Sequence, residues 1–421
     1  MKLLTTFLAL IAMPLSSTFG QLTIDRCQEK AKQNYPQIRQ FALIGKTAEY
    51  NLANAGKAYL PQVTLSAKAT YQSDAINIDI PMNGQTMSIH QGKDQYQAVL
   101  EVNQTVWDGG VTATQKNILK AGAEVERQKL EVDLYTIKDR VNQMYFGLLL
   151  IQEQLQQNAT LQSELQTNFD KVKAYIQNGV ANQADLDAVK LEQLNNSQRR
   201  TELLAAQKSY RQMLSAMTGE NIEETTSLEK PVITDIDYAG TTIGRPELRL
   251  FESQLSLLDN QSRMVQTGTV PKIGLFLQGG VGRPGLNMLS SDFSPFYIGG
   301  IRLSWNISGF YTQKNNLSSL NISRDMVSSQ KETFLFNNKL KIDQQNNETD
   351  KIRELIKSDD EIIRLHTSIK NASAAKVENG VQTMTDLLRE INAESLARQQ
   401  KALHEIQLMM NVYNLKYSTN N

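Results

Sequence analysis

The sequence carries a turn signature twice. Asn178-Gly179-Val180 is followed by Asp185 and Leu186, and Asn379-Gly380-Val381 is followed at the same spacing by Asp386 and Leu387. Other landmarks recur at nearly the same offset. Pro36 and Pro61 are matched by Pro246 and Pro271, both 210 residues on, and Trp107 is matched by Trp305. One such match carries little weight, but a set at a common offset indicates internal duplication. A single plan must therefore fold twice in one chain.

Residues 1–20 read as a secretory signal peptide: Lys2, an apolar run from Leu3 to Leu15 broken by Pro14, then small residues before Gln21. The run is too short to span a membrane, so the mature chain is expected to be exported. Cys27 is the only cysteine, which excludes an intramolecular disulfide, and Ile24-Asp25-Arg26 before it is a poor lipoprotein signal. A helical thiol is the expected role. With 44 basic and 44 acidic side chains there is no charge excess to attract nucleic acid. Beyond residue 20 the longest apolar block is Tyr145–Ile151, so any membrane contact must be made by strands.

Ile24 to Tyr59 has apolar residues at three- and four-residue steps and reads as helix, interrupted at Pro36. After Pro61 the period changes to two. Val63, Leu65, Ala67, Ala69 and Tyr71 alternate with polar residues for about eleven residues, roughly 35 Å of strand. A polar stretch, Asp74 to Gln95, leads to a second alternating run with Tyr96, Ala98, Leu100, Val102 and Val106 on one face. The second half repeats the pair through Ile273, Leu275, Leu277 and Val281, then Tyr297, Ile301, Leu303 and Trp305. The opposite faces carry Gln97, Glu101, Asn103, Lys272, Gln278, Arg302 and Ser304.

An ordinary β-sandwich also alternates, but four long strands supply no second sheet to cover their apolar faces. Four strands cannot close a barrel either, and a membrane tolerates no open edge. If these strands enter a membrane, several copies must close the wall. Tyr71, Tyr96, Trp107, Tyr297 and Trp305 are the aromatic residues available for an interfacial girdle.

Trp107-Asp108-Gly109-Gly110 ends the strand, and a Pro-free helical pattern runs from about Thr112 to Tyr175. Leu134, Ile137, Val141, Met144, Leu148, Ile151 and Leu155 form a heptad seam within it. Such a helix is roughly 95 Å long, more than a globular core can cover. Asn178-Gly179 reverses the chain, and a second helix returns to Met217. The organisation expected is a first repeat over 21–230 and a second over 231–421. The first holds a helix, strands 62–74 and 95–106, and a helical hairpin 112–217. The second holds a helix 247–266, strands 272–282 and 296–305, a hairpin 315–416, and a polar tail from Ser418. In the last helix Leu396, Leu403, Ile406, Met410 and Tyr413 are assigned to one heptad face.

This order, with Leu60-Pro61-Gln62, Trp107-Asp108-Gly109-Gly110 and the Gly179–Leu186 turn, resembles the TolC family of outer membrane efflux proteins over essentially the whole mature chain. The resemblance implies a mainly helical fold with membrane strands. Three copies would build a twelve-stranded barrel continued by an α-helical barrel through the periplasm. It implies a homotrimer embedded in outer membrane lipid, with a periplasmic adaptor and, through it, an inner-membrane pump as partners. By position, Asn178, Gly179, Val180, Asn379, Gly380 and Val381 resemble the tip that docks the adaptor. Asp386 matches the family's first acidic position at the pore constriction. Its usual second acid is replaced by Arg389, which could bridge to Asp386 or to Asp185 of a neighbour.

No enzyme, cofactor or metal motif is found. His90, His366 and His404 lack metal-ligand spacing, and Gly279-Gly280-Val281-Gly282 lies within a strand rather than before a helix. Two alternative classes are an elongated periplasmic coiled-coil scaffold or adaptor without a pore and a secreted helical structural or adhesive protein.

Overall fold

The computed structural model describes residues 21–82, 84–233 and 242–420. The signal-peptide reading lies outside these residues, as do 234–241 of the linker and Asn421. In chain order the elements are α1 (Ile24–Asn34), α2 (Gln40–Gly56), β1 (Gln62–Tyr71), β2 (Asn77–Met82), β3 (Gln85–His90), β4 (Asp94–Trp107), α3 (Val111–Gln177) and α4 (Gln183–Thr218). Then follow α5 (Pro246–Thr267), β5 (Lys272–Arg283), β6 (Ser294–Ser304), α6 (Gly309–Glu378) and α7 (Met384–Thr419). Pro36 divides the first helix as its ring requires: Tyr35 is extended and Pro36–Arg39 form a 3-10 turn.

The chain forms two compact units, each drawn from both halves of the sequence. The first to be described comprises residues 39–132 and 246–336. Its four-stranded sheet has the order β1-β4-β5-β6, antiparallel throughout, and the two sequence halves meet where β4 pairs with β5. Register sorts the side chains by face. Val63, Val102, Leu277 and Gly299 share one row, Leu65, Leu100, Gly279 and Tyr297 the next, and Ala67, Ala98, Val281 and Pro295 the one after. This apolar face is open, with Leu65 exposed to 75% and Ile301 to 74%. On the other face Arg302 lies 3.6 Å from Glu101 and over the Phe276 ring.

A bulge between Thr105 and Trp107 shifts the ladder by one residue. Simple alternation assigns Val106 to the apolar face; the inserted residue instead pairs Trp107 with Ile273 and brings the indole onto that face. The stretch from Asp74 to Gln95, a polar loop by its sequence, holds a two-stranded β2–β3 hairpin whose tip includes Gly84 at φ 87°. At the other end of β4, Asp108 starts α3. Its carboxylate accepts from the backbone of Gly110 and Thr112 at 2.9 and 2.7 Å and from the Tyr59 hydroxyl at 2.8 Å. Burial pushes this carboxyl up, but those three donors outweigh it and hold it below the ordinary range. Gly109 has φ 69°, and a Cβ there would also meet Val270 at 2.8 Å.

Among the described residues the second unit comprises 21–38, 133–233, 242–245 and 337–420. Leu134, Ile137, Val141, Leu148 and Ile151 of the heptad seam are buried, as is Tyr145. The Tyr145 hydroxyl donates to the carbonyls of Leu22 and Glu229 at 2.6 and 2.7 Å, fastening the start of α1 to the linker. Cys27 is free and buried, and burial pushes its thiol up to about 12. Asn158 and Asn196 exchange side-chain and backbone hydrogen bonds between α3 and α4.

Two sequence expectations are corrected here. Ser418 and Thr419 are not a polar tail but the buried last turn of α7, which Asn420 caps at φ 58°. Their polarity is absorbed inside the unit: Ser418 donates to Gln345 at 3.0 Å and Asn338 donates to the Ser418 carbonyl at 2.9 Å. Leu396 is exposed, because the buried seam of α7 runs through Ile391, Glu394 and Ala402. Glu394 takes that interior place by pairing with Lys370 at 2.5 Å and Arg398 at 2.6 Å and accepting from Thr367 at 2.7 Å. Lys370 also reaches Glu164 at 2.8 Å, so one lysine ties α6 to both α3 and α7.

Burial acts to raise the Glu394 carboxyl, and its donors overcome this, lowering it from 4.5 to about 2. A depressed carboxylate stabilises the fold fully above its unfolded value and loses that contribution as pH falls through the folded one. Thermal melts of this protein are therefore expected to weaken between pH 4.5 and about 2, and Glu394→Gln should flatten that part of the profile. Asp108→Ala should lower stability by about 1–2 kcal/mol through loss of the α3 cap, read by denaturant unfolding.

Candidate functional site: helix-hairpin turns and the exposed sheet face

Both hairpin turns are built the same way. Asn178 donates through its side chain to the Ala174 carbonyl at 2.9 Å, and Asn379 does so to Ala375 at 2.7 Å. Gly179 and Gly380 follow at φ 71° and 72°, and a Cβ at either position would have no neighbour within 4 Å. Glycine is thus needed for backbone conformation, not for space. The Val180 and Val381 amides then close onto the carbonyls of Tyr175 and Lys376. This leaves both valines at the apex, 67% and 72% exposed.

The next helices start with capping boxes. Asn182 accepts from the Asp185 amide at 3.1 Å while Asp185 accepts from the Asn182 amide at 3.2 Å. Thr383 and Asp386 repeat the exchange at 3.2 Å each way, and the Thr383 hydroxyl also donates to Asp386 at 2.8 Å. The Thr383 hydroxyl first, then its amide, with help from Arg389, holds the Asp386 carboxyl below its ordinary value. Arg389 lies 4.0 Å from Asp386 and 3.1 Å from Glu390, and is 71% exposed. The local bridge is therefore a long one, and the guanidinium points mainly to Glu390.

Beneath the turns, Leu165, Val172, Val189, Met384, Leu387, Leu388 and Ile391 form one apolar cluster. Leu186 and Val377 pack against it, and Lys171 meets Glu378 at 3.1 Å across the surface. The Leu that follows each signature Asp is thus part of the packing that sets the two hairpins side by side. Sequence reading does not find Lys171, Glu378, Glu164, Lys370 or Glu394 here. The capping boxes, in contrast, are open to detection as Asn182-x-x-Asp185 and Thr383-x-x-Asp386.

On the sheet, Tyr71 and Tyr96 stand at the end nearest the β2–β3 hairpin, and Trp107 and Trp305 at the end nearest the helices. Tyr297 pairs with Gly279 and so lies midway along the sheet. All five are exposed, and the Trp305 indole donates to the Thr269 carbonyl at 2.9 Å. Among the described residues no helix is long and apolar enough to cross a membrane, and no cluster of His, Cys, Asp and Glu could hold a metal ion.

Residues 28–220 match the family described as outer membrane efflux protein, and the duplicated architecture carries the same plan into the remainder. That part of the chain is similar to the family. Its fold is similar to that of VceC, an outer membrane protein of Vibrio cholerae, at 12% identity and a TM-score of 0.68, over 94% of this chain and 96% of that one. The Campylobacter jejuni CmeC outer membrane channel gives 13% and 0.65, over 95% and 86%. The open state of the Neisseria gonorrhoeae MtrE outer membrane channel gives 12% and 0.67, over 94% and 89%. No curated protein matches the sequence.

Thr383→Ala is expected to cost about 1 kcal/mol of stability by removing the α7 cap. Because Asp386 completes the same box, Asp386→Ala in that background should add less than it does alone. A double-mutant cycle in denaturant unfolding measures the difference.

Proposed function

We propose that this protein is the exit duct of a tripartite export system in the outer membrane of a Gram-negative bacterium, with its helical part in the periplasm. Three copies close the strands into one barrel and the helices into a continuing tube. The observation that carries this reading is the sheet: its apolar face is bare, and among the described residues β1 and β6 each leave an unpaired edge within the chain. Joining β6 of one copy to β1 of the next satisfies both edges, and lipid covers the face. Uncovered Leu355, Ile362 and Ile369, at seven-residue steps on α6, supply a helical seam suited to a neighbouring copy.

In this reading Tyr71 and Tyr96 mark the outer lipid boundary and Trp107 and Trp305 the inner one, with Tyr297 facing lipid between them. Val180 and Val381 present paired apolar knobs to a periplasmic adaptor, flanked by Asn178, Gly179, Asn379 and Gly380. Asp386, repeated three times, narrows the pore and favours cations, and Arg389 tempers that charge or meets Asp185 of the next copy. The capping boxes support a fixed position for both carboxylates. Efflux of small molecules and type I protein secretion, each through an inner-membrane pump, both fit this duct.

Native mass measurement on protein extracted from outer membranes is expected to give a trimer; a soluble periplasmic monomer or dimer would favour the scaffold reading instead. Leu65→Arg should cost about 2–4 kcal/mol per copy by placing charge against lipid, and should reduce the membrane trimer. Ser66→Arg, on the opposite face, should leave it intact. In planar bilayers Asp386→Ala should lower cation selectivity and Arg389→Ala raise it; unchanged selectivity in both would remove the constriction from this reading.

A further inference from the structure

We infer that the β2–β3 hairpins of three copies pack against one another across the outer mouth of the duct and narrow it from outside. This rests on the duct reading, since it needs a closed wall, and it concerns the end away from the helices. The β1–β4 ladder does not stop at Tyr71. The Gln72 amide donates to the Lys93 carbonyl at 2.8 Å, and beyond an interruption the Gln91 amide donates to the Ile76 carbonyl at 3.0 Å. Between these bonds one strand advances from 72 to 76 and the other from 93 to 91. Across the interruption Gln72 and Ile76 both turn their own backbone groups toward the opposite strand, which places their side chains on the same side of the ribbon.

That placement decides what the hairpin presents. Ile76, Ile78 and Ile80 fall on the side of Lys68, Thr70 and Gln72, which is the polar face of the sheet and, in a closed barrel, the lumen side. Asn77 and Asp79 fall on the side of Tyr71, and the Ser88 hydroxyl donates to the Asp79 carboxylate there. The hydrophobic sense is therefore reversed relative to the sheet: lipid-side residues are polar here and lumen-side residues are apolar. All three isoleucines are exposed within the chain. Lipid cannot reach the lumen side of a closed wall, so what covers this face is the same face of the other copies. The hairpin is held for this role, because Gln91 donates to the Met288 carbonyl and Ser291 to the His90 carbonyl, both at 2.8 Å, bracing it to the β5–β6 loop.

Cysteine cross-linking tests the arrangement, and the native Cys27 is buried and leaves an introduced thiol alone at the surface. In outer membranes treated with a mild oxidant, Ile78→Cys is expected to give disulfide-linked dimers about tenfold faster than Asp79→Cys, because linkage needs Cα atoms within roughly 7 Å. Native mass is measured on the same preparations. A trimer in which Ile78→Cys links no faster than Asp79→Cys would overturn the inference and leave the duct reading standing. Absence of a trimer would overturn both. Ile78→Asp with Ile80→Asp should raise single-channel conductance severalfold through mutual repulsion at the mouth, and unchanged conductance would count against a constriction there.

Discussion

A β-sheet with one apolar face and two unpaired edges cannot remain as it is in water or in lipid, and everything else in this chain is arranged around that requirement. Alternation along β1, β4, β5 and β6 puts Leu65, Leu100, Leu277 and Ile301 on one side and Glu101, Gln278 and Arg302 on the other. Covering the apolar side with protein would need a second sheet or a helical layer, and no described element packs there. Lipid is the cover that fits, and lipid in turn forbids open edges.

At the hairpin turns the controlling effects are local. Two glycines supply positive φ, two capping boxes satisfy the first amides of α4 and α7, and the exposed valines follow from where the chain must reverse. A carboxylate engaged in such a cap is held to within hydrogen-bond tolerance at the start of its helix. Deeper in, Glu394 shows a buried charge made tolerable by pairing with Lys370, with Arg398 and Thr367 satisfying its remaining acceptor capacity.

Much of this is legible in the residue pattern because period and spacing are properties of one element at a time. The strands, the kink at Pro36, the heptad seam of α3 and the glycine reversals all depend on neighbours within a few positions. What escapes the pattern depends on more distant chain. The bulge that turns Trp107 onto the apolar face is set by its β5 partner, Ile273. Ser418 and Thr419 look like a tail until Asn338 and Gln345 are brought beside them. Hydrophobicity alone places Leu396 inward, whereas Glu394 occupies the interior because Lys370 waits there. In the β2–β3 hairpin, by contrast, the alternation of Ile76, Ile78 and Ile80 with Asn77 and Asp79 is a local strand signal, lying inside a stretch whose overall polarity reads as loop. Contacts with another molecule belong to an assembly, and the periodicity of one chain carries no signal of a neighbour's surface.

The helical unit is assembled from three separated stretches of sequence, the last of which contains α7. Leu22 pairs with Ser227 and Glu229, Tyr145 holds Leu22 and Glu229 together, and Thr419 closes against Gly244. Such long-range closures carry a high loop entropy and form late. A growing chain cannot complete this unit until α7 is made, so its long helices must stay unburied for most of synthesis. Their low hydrophobicity outside the seams then has a second use: it keeps an unfinished molecule soluble until that helix arrives.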